Sequence, residues 1–191
     1  MEVTPTPTPT TEPKSGWNTL SKNAKIAIGI AVVVVILVVA AVSGGNNNNN
    51  GNGNSTSSTQ DTTPTTQSLS SQWSDWKANF QPIFSQFRSD YTTTTADLNN
   101  GDASAATSDF STLSQDATNL DSASNSPDVA TTQAVQQLAN DVQTLSSEGI
   151  TSISNIQSGG SMTQGFSDAS TAVGNDITNL NTALSNANNT L

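Results

Sequence analysis

Residues 69–98 read LSSQWSDWKANFQPIFSQFRSDYTTTTADL, and large apolar side chains recur along this stretch every three or four residues. That spacing is typical of a helix that buries one stripe of its surface. Pro82 lies within the stretch, so we expect it to kink the helix or to delay its regular start. The predicted stripe consists of Leu69, Trp73, Trp76, Phe80, Ile83, Phe87, Tyr91 and Leu98, with Thr94 filling the gap.

Three further stripes with the same period follow toward the C-terminus. The second consists of Ala106, Phe110, Leu113, Ala117, Leu120 and Ser124. The third, which drifts near Gly149, consists of Val135, Leu138, Val142, Leu145, Ile153 and Ile156. The fourth consists of Met162, Phe166, Ala169, Val173, Ile177, Leu180, Leu184 and Leu191.

Turn and cap residues separate these stripes. Residues 100–101 (NG) predict a helix end, and Asp102 predicts the N-cap of the second helix. Residues 126–128 (SPD) predict the third helix start, with the proline at the first helical position. Residues 159–160 (GG) predict its end, and residues 161–164 (SMTQ) predict a capping box for the fourth helix.

Four amphipathic helices with short connections predict an all-α fold, an antiparallel up-down-up-down four-helix bundle. A three-helix bundle with one exposed helix and a longer coiled-coil assembly are the alternatives. Strands are disfavoured, because period-2 alternation is absent and the Asp and Asn content opposes them. We expect this bundle to occupy residues 68–191 and to follow one transmembrane helix and a disordered stalk.

The predicted transmembrane helix spans residues 24–44, within which residues 26–42 read IAIGIAVVVVILVVAAV. About 20 residues span ~30 Å as a helix, which is enough to cross a bilayer. Lys14, Lys22 and Lys25 precede the run, so we expect the N-terminus in the cytoplasm and the bulk of the chain outside. A secretory signal cleaved near residues 41–43 (AVS) is the alternative.

Polar, low-complexity sequence flanks the membrane segment. Residues 1–23 predict a disordered cytoplasmic tail rich in Pro and Thr, and residues 45–67 predict a disordered stalk of Asn, Gly, Ser and Thr. Asn54 and Asn188 each begin an N-x-[ST] triplet and are candidate glycosylation sites.

Composition excludes several kinds of function. The chain has no Cys and no His, which removes thiolate chemistry and the commonest general base near neutral pH. Thirteen acidic residues follow residue 44, against only Lys77 and Arg88, so nucleic-acid binding is disfavoured. No nucleophile elbow, phosphate loop or metal-ligand spacing is present. The sequence therefore predicts no catalytic residues, no cofactor and no metal.

Two groups of residues remain as candidate surfaces. Six of the nine aromatic residues lie between Trp73 and Tyr91. Most of them are interpreted as core, while a contact patch would use Trp73, Trp76 and Phe84, of which Phe84 lies off the stripe. Asp102, Asp109 and Asp116 recur every seven residues and are interpreted as a solvated helix face.

Several short motifs carry a resemblance to known proteins. They are W-x-x-W with F-x-P in residues 73–82, LNNGDASAA with D-F-x-x-L in residues 98–113, and SPD in residues 126–128. The segment from about residue 70 to 190 resembles a helical domain of uncharacterised membrane-anchored or lipid-linked exported proteins of bacteria and archaea. The resemblance implies a helical fold and an extracytoplasmic location, and it implies no activity.

Anchor, stalk and bundle together predict a non-catalytic, membrane-tethered cell-surface interaction module in the plasma membrane. Its expected partner is an envelope protein, a cell-wall polymer or a second copy of the chain. The alternative is a structural spacer or a pilin-like self-assembling envelope subunit, with pilin-type cleavage at residues 22–24 (KNA) and a mature chain that starts near residue 25.

Overall fold

The computed structural model describes residues 67–191. This part of the chain forms four helices and no strand, so the all-α prediction is confirmed for it. The helices are α1 (Leu69–Asn100), α2 (Ala103–Ser122), α3 (Val129–Gln157) and α4 (Gln164–Thr190).

The predicted tail 1–23, transmembrane helix 24–44 and all but the last residue of the stalk 45–67 lie outside the described residues. None of the four described helices combines the length and the apolar character that crossing a bilayer requires.

The end of α1 follows the sequence prediction. Gly101 has a left-handed backbone with φ 78°, which glycine adopts without steric cost, and the N–H of Asp102 bonds to the carbonyl oxygen of Asp97. The Asp102 carboxylate then accepts the N–H of Ala105 at 2.9 Å and caps α2. The α1–α2 connection is therefore only two residues long.

The predicted starts of α3 and α4 were each wrong by two residues. Asp128, not Ser126, is the N-cap of α3, because its carboxylate accepts both the N–H and the hydroxyl of Thr131 at 2.7 Å. Thr163, not Ser161, is the N-cap of α4 and accepts the N–H of Phe166 at 3.1 Å. In both connections two residues able to cap a helix stand close together, and the sequence alone does not choose between them.

Pro82 lies inside α1, which continues through it as one helix from Leu69 to Asn100. Of the two effects expected of Pro82, a kink or a delayed start, the delayed start is therefore excluded. Pro82 is exposed, so its ring faces solvent and leaves the buried stripe of α1 uninterrupted.

The four stripes form one core. Every predicted member of the second and third stripes is buried, as are most members of the other two. Leu69 is the clear exception, since 56 % of it is exposed at the first turn of α1. The largest fully buried side chains are Phe87, Phe110, Leu113, Leu120, Leu138, Leu145, Ile177, Leu180, Val135, Val142 and Val173.

Consecutive helices pack on each other: α1 on α2, α2 on α3, and α3 on α4. The Trp76 indole N–H reaches the carbonyl oxygen of Ala123, and Ser114 bonds Gln143, in each case far from the connection between the two helices. Because the connections are short, residues distant in sequence meet in this way only when neighbouring helices are antiparallel.

Candidate functional site

The first and last helices, α1 and α4, are separated along part of their length by a groove. Three of the bundle's helix pairs pack closely, whereas α1 and α4 leave a space of about 480 Å³. It is lined by Lys77, Phe80, Gln81, Phe84, Ser85, Arg88, Asn181, Leu184, Ser185 and Asn188.

A polar cluster ties the two helices together at one end of the groove. The Asn188 Oδ1 atom on α4 accepts the Trp73 indole N–H at 2.9 Å and the Lys77 Nζ at 2.7 Å. The Lys77 ammonium also lies 5.3 Å from the centre of the Trp73 ring, a cation–π distance. These contacts hold Lys77 at the groove while Trp73 itself is buried.

A ladder of aromatic rings along α1 supports the groove wall. Successive centroids from Trp73 to Tyr91 lie 5.0, 4.7, 5.6, 6.0 and 5.9 Å apart, and the first three pairs are stacked. Residues spaced three or four apart on a helix share a face, which produces this continuous stack. Phe80 and Phe84 of the ladder line the groove and give it an aromatic floor.

The charge of the groove differs from that of the rest of the bundle. Lys77 and Arg88 are the basic residues of segment 67–191, and both line the groove. They are eleven residues apart on α1, which is three helical turns, so they share one face about 16 Å apart. The same segment carries twelve acidic residues, and none of them lines the groove.

The three residues of the predicted contact patch have different surroundings. Phe84 is half-buried and lines the groove. Trp73 is 4 % exposed, and its ring packs in the bundle. Trp76 is half-buried, donates its indole N–H to the Ala123 carbonyl at 2.9 Å, and lines a separate cleft beside Ser126. A contact role for these residues stays a prediction, and the geometry singles out Phe84.

The two candidate glycosylation sites also differ. Asn54 lies outside the described residues. Asn188 is exposed in the last turns of α4, but its Oδ1 atom is the acceptor for Trp73 and Lys77. Glycosylation of either residue stays a prediction.

Buried carboxylates lie away from the groove, within the two helical hairpins that α1 forms with α2 and α3 forms with α4. Asp116 of α2 and Asp176 of α4 are only 5 % and 7 % exposed. The interpretation of Asp102, Asp109 and Asp116 as a solvated face was therefore wrong for Asp116, and Asp109 is half-buried. Within residues 67–191, no three His, Cys, Asp or Glu side chains come together as a group able to hold a metal ion.

Burial raises the pKa of several of these groups. Desolvation, with the nearby Asp90 carboxylate, raises the pKa of Asp116 to about 6. Desolvation, with Asp141, raises the pKa of Asp176 to about 7. Desolvation also raises the pKa of Asp109, with a further contribution from Asp97.

Sequence reasoning missed the cationic residues of the groove. The available signal was the spacing of Lys77 and Arg88, since a separation of eleven residues places both on one face of a helix. The contribution of α4 could not be recognised from the sequence, because nothing in it distinguishes Asn181 and Asn188 from the many other Asn and Gln residues of the chain.

No protein-family model, curated protein or solved structure matches the chain.

Proposed function

We propose that this protein is a non-catalytic, membrane-tethered module of the cell surface whose α1–α4 groove binds an anionic polysaccharide of the envelope. The observation that carries the proposal is the placement of Lys77 and Arg88, the basic residues of an otherwise acidic bundle, along one groove.

The groove offers the groups that sugar polymers require. Phe84 presents an aromatic surface against which the apolar face of a sugar ring can pack. The exposed side chains of Gln81 and Ser185 offer an amide and a hydroxyl for sugar hydroxyl groups. Lys77 and Arg88 supply charge-assisted hydrogen bonds for carboxylate, sulfate or phosphate groups carried by the polymer.

Charge distribution favours an extended anionic ligand over a compact one. Lys77 and Arg88 are separated by about 16 Å along α1, too far for one small anion to bridge. The surrounding acidic surface repels anions, so an anionic chain is attracted only where the two cations lie. A linear polymer with regularly spaced charges fits this arrangement, and the elongated groove gives it a path.

Binding to polygalacturonate, a uronate polymer, tests the proposal. We expect the full-length chain in mild detergent to bind polygalacturonate but not neutral dextran, with an affinity that falls as ionic strength rises. Lys77→Gln with Arg88→Gln should lower the affinity about tenfold or more, because two charge-assisted contacts are lost. Isothermal titration calorimetry measures these affinities.

A matched control separates local from overall charge. Gln133→Glu with Gln157→Glu makes the same change in net charge at two exposed positions of α3 that do not line the groove. This variant should bind like the parent protein. Equal losses in both double variants, or binding of poly-L-glutamate in preference to polygalacturonate, would contradict a polysaccharide groove.

The proposed location rests on the apolar run 26–42 and on the basic residues that precede it. In cells producing a chain tagged at both ends, external proteinase K should remove the C-terminal tag and leave the N-terminal tag intact. Protection of both tags would contradict the proposed orientation. A mature chain that lacks the N-terminal tag would instead indicate a cleaved signal.

A further inference from the structure

Two buried acidic residues occupy equivalent places in the two hairpins of the bundle. Asp116 lies on α2 of the first hairpin and Asp176 on α4 of the second, and both are more than nine-tenths buried. In each residue the Oδ2 atom is shielded from solvent and has no hydrogen-bond partner among the described residues. A buried charge without a donor is strongly unfavourable, so these two oxygens require an explanation.

Each buried carboxyl group faces a second carboxyl group across its hairpin. Asp116 meets Asp90 of α1, and Asp176 meets Asp141 of α3. The facing residues, Asp90 and Asp141, are half-buried. Each accepts a hydrogen bond from the side-chain amide of a glutamine four residues earlier. Gln86 donates to Asp90 at 2.9 and 3.0 Å, and Gln137 donates to Asp141 at 3.2 Å.

The first hairpin carries a further pair two helical turns away. Asp109 of α2 faces Asp97 of α1, and its Oδ2 atom is likewise buried without a hydrogen-bond partner among the described residues. Asp97 and Asp109 are each seven residues from Asp90 and Asp116, in opposite directions along the chain. An antiparallel pair of helices therefore brings both acid pairs together in the same register.

Among residues 67–191, the charged groups that raise the pKa of these buried carboxyl groups are all acidic. Asp90 acts on Asp116, and Asp141 acts on Asp176. The groups that act on Asp109 are Asp97, Asp90 and Asp102.

The neighbouring described helices place no basic side chain beside these carboxyl pairs. Ser114 bonds Gln143, so Asp141 of α3 is in register with Asp116 across the α2–α3 seam, but its carboxylate pairs with Asp176 instead. Lys77 and Arg88, the basic residues of segment 67–191, line the groove on another face of α1.

One proton satisfies such a pair. When one carboxyl group is protonated, its O–H donates to the facing carboxylate, and the like-charge repulsion across the seam disappears. No other donor is then required for the buried oxygen. A metal ion needs several converging oxygens, and within residues 67–191 no third acidic side chain joins either pair, so a proton fits these positions better.

We propose that the carboxyl pairs Asp90–Asp116 and Asp141–Asp176 are proton-binding clasps that join α1 to α2 and α3 to α4 in acidic surroundings. Loss of the proton leaves, in each pair, a buried carboxylate facing a half-buried one, and their repulsion weakens the packing of both hairpins. We therefore expect the folded bundle to be more stable in an acidic environment than at alkaline pH.

The pKa shifts give this effect its direction and its pH range. The folded-state values of about 6 for Asp116 and about 7 for Asp176 lie above the value of about 3.9 of an unfolded chain. The folded state thus binds protons more tightly than the unfolded state. The stabilisation of the folded state by these bound protons is complete below about pH 4 and is lost as the pH rises through 6 and 7.

Thermal denaturation of the full-length chain in non-ionic detergent, followed by circular dichroism between pH 5 and 8, tests the clasps. We expect the midpoint temperature at pH 5 to exceed that at pH 8 by at least about 5 °C. Asp116→Asn with Asp176→Asn keeps the side-chain shape and supplies a permanent donor. This variant should lose most of the pH dependence and should be more stable than the parent at pH 8.

The matched control is Asp121→Asn with Asp168→Asn, which removes two exposed acids and leaves the clasps intact. It should keep the pH dependence of the parent. If both double variants lose it equally, overall charge repulsion is the cause and the proposal fails. If millimolar calcium chloride at pH 8 stabilises the parent as acid does, and the clasp variant abolishes this, the pairs are cation sites and the proposal is overturned.

A second measurement needs no variant. Carbon-13 NMR titration of the aspartate carboxyl groups in the parent protein should show two groups with midpoints above pH 5. Midpoints below pH 4.5 for every aspartate would overturn the proposal even if thermal stability changes with pH.

Discussion

Gly149, in the middle of α3, shows how closely the bundle packs at a single residue. The Phe110 ring of α2 lies directly against the Gly149 Cα, in the space that a Cβ atom would occupy. Phe110 also meets the Phe166 ring of α4 edge-on, with centroids 5.8 Å apart. The glycine that makes the third stripe drift in the sequence is thus the position that lets Phe110 lie between α3 and α4.

Gly149→Ala tests this contact, because the contact reverses the sign of the expected change in the free energy of unfolding. In an exposed helix interior the change stabilises by about 1 kcal/mol. Here we expect a loss of about 1–3 kcal/mol in the free energy of unfolding, because the new methyl group overlaps the Phe110 ring. Chemical denaturation measures it, and the cost should shrink in a Phe110→Leu background. A stabilised Gly149→Ala variant would mean that the ring moves aside freely.

The aspartates paired between neighbouring helices, Asp90 with Asp116 and Asp141 with Asp176, show what sequence reasoning cannot supply at the residue scale. Seen alone, acids repeating every seven residues on α2 have the pattern of a solvated face. Burial of Asp116 follows only from the register between helices, which places Asp90 opposite it. That register is set by the packing of both helices together, and a periodicity within one helix contains no information about its partner.

At the scale of elements, the helices and most of their inward faces were predictable from the sequence. Large apolar residues at helical spacing have few other ways to be buried together, and Gly101 and Asp102 mark a helix end and a helix start by their backbone chemistry. The starts of α3 and α4 were each predicted two residues too early, because two residues able to cap a helix stand two positions apart in both connections.

Pro82 allows a prediction for α1 as an element. Proline in a helix interior removes one backbone hydrogen bond and crowds the preceding turn, yet α1 continues through it. We expect Pro82→Ala to raise the free energy of unfolding by about 1–3 kcal/mol, since the missing N–H is restored at an exposed position.

The neighbouring exposed change Ser89→Ala should alter stability by no more than about 0.5 kcal/mol and serves as the control. Thermal and chemical denaturation of both variants check this expectation. A destabilised Pro82→Ala variant would contradict this expectation and would show that α1 needs the proline to fit the core.

At the scale of the whole molecule, the bundle is closed on three sides and open on the fourth. Packing of α1 on α2, α2 on α3 and α3 on α4 encloses the core, while the α1–α4 side retains the groove with Lys77 and Arg88. The bundle was predictable from four stripes. The groove was not, because it depends on how far apart the first and last helices lie after all the others have packed.

Binding to native envelopes tests the central claim most directly. Full-length protein in mild detergent would be sedimented with isolated cell envelopes of its host, beside a heat-unfolded sample, the Lys77→Gln/Arg88→Gln variant and the Gln133→Glu/Gln157→Glu variant. We predict saturable binding by the folded parent and by the α3 variant, and a loss of binding in the other two samples. Equal binding by all four samples, or binding that survives removal of Lys77 and Arg88, would contradict the groove as the contact surface.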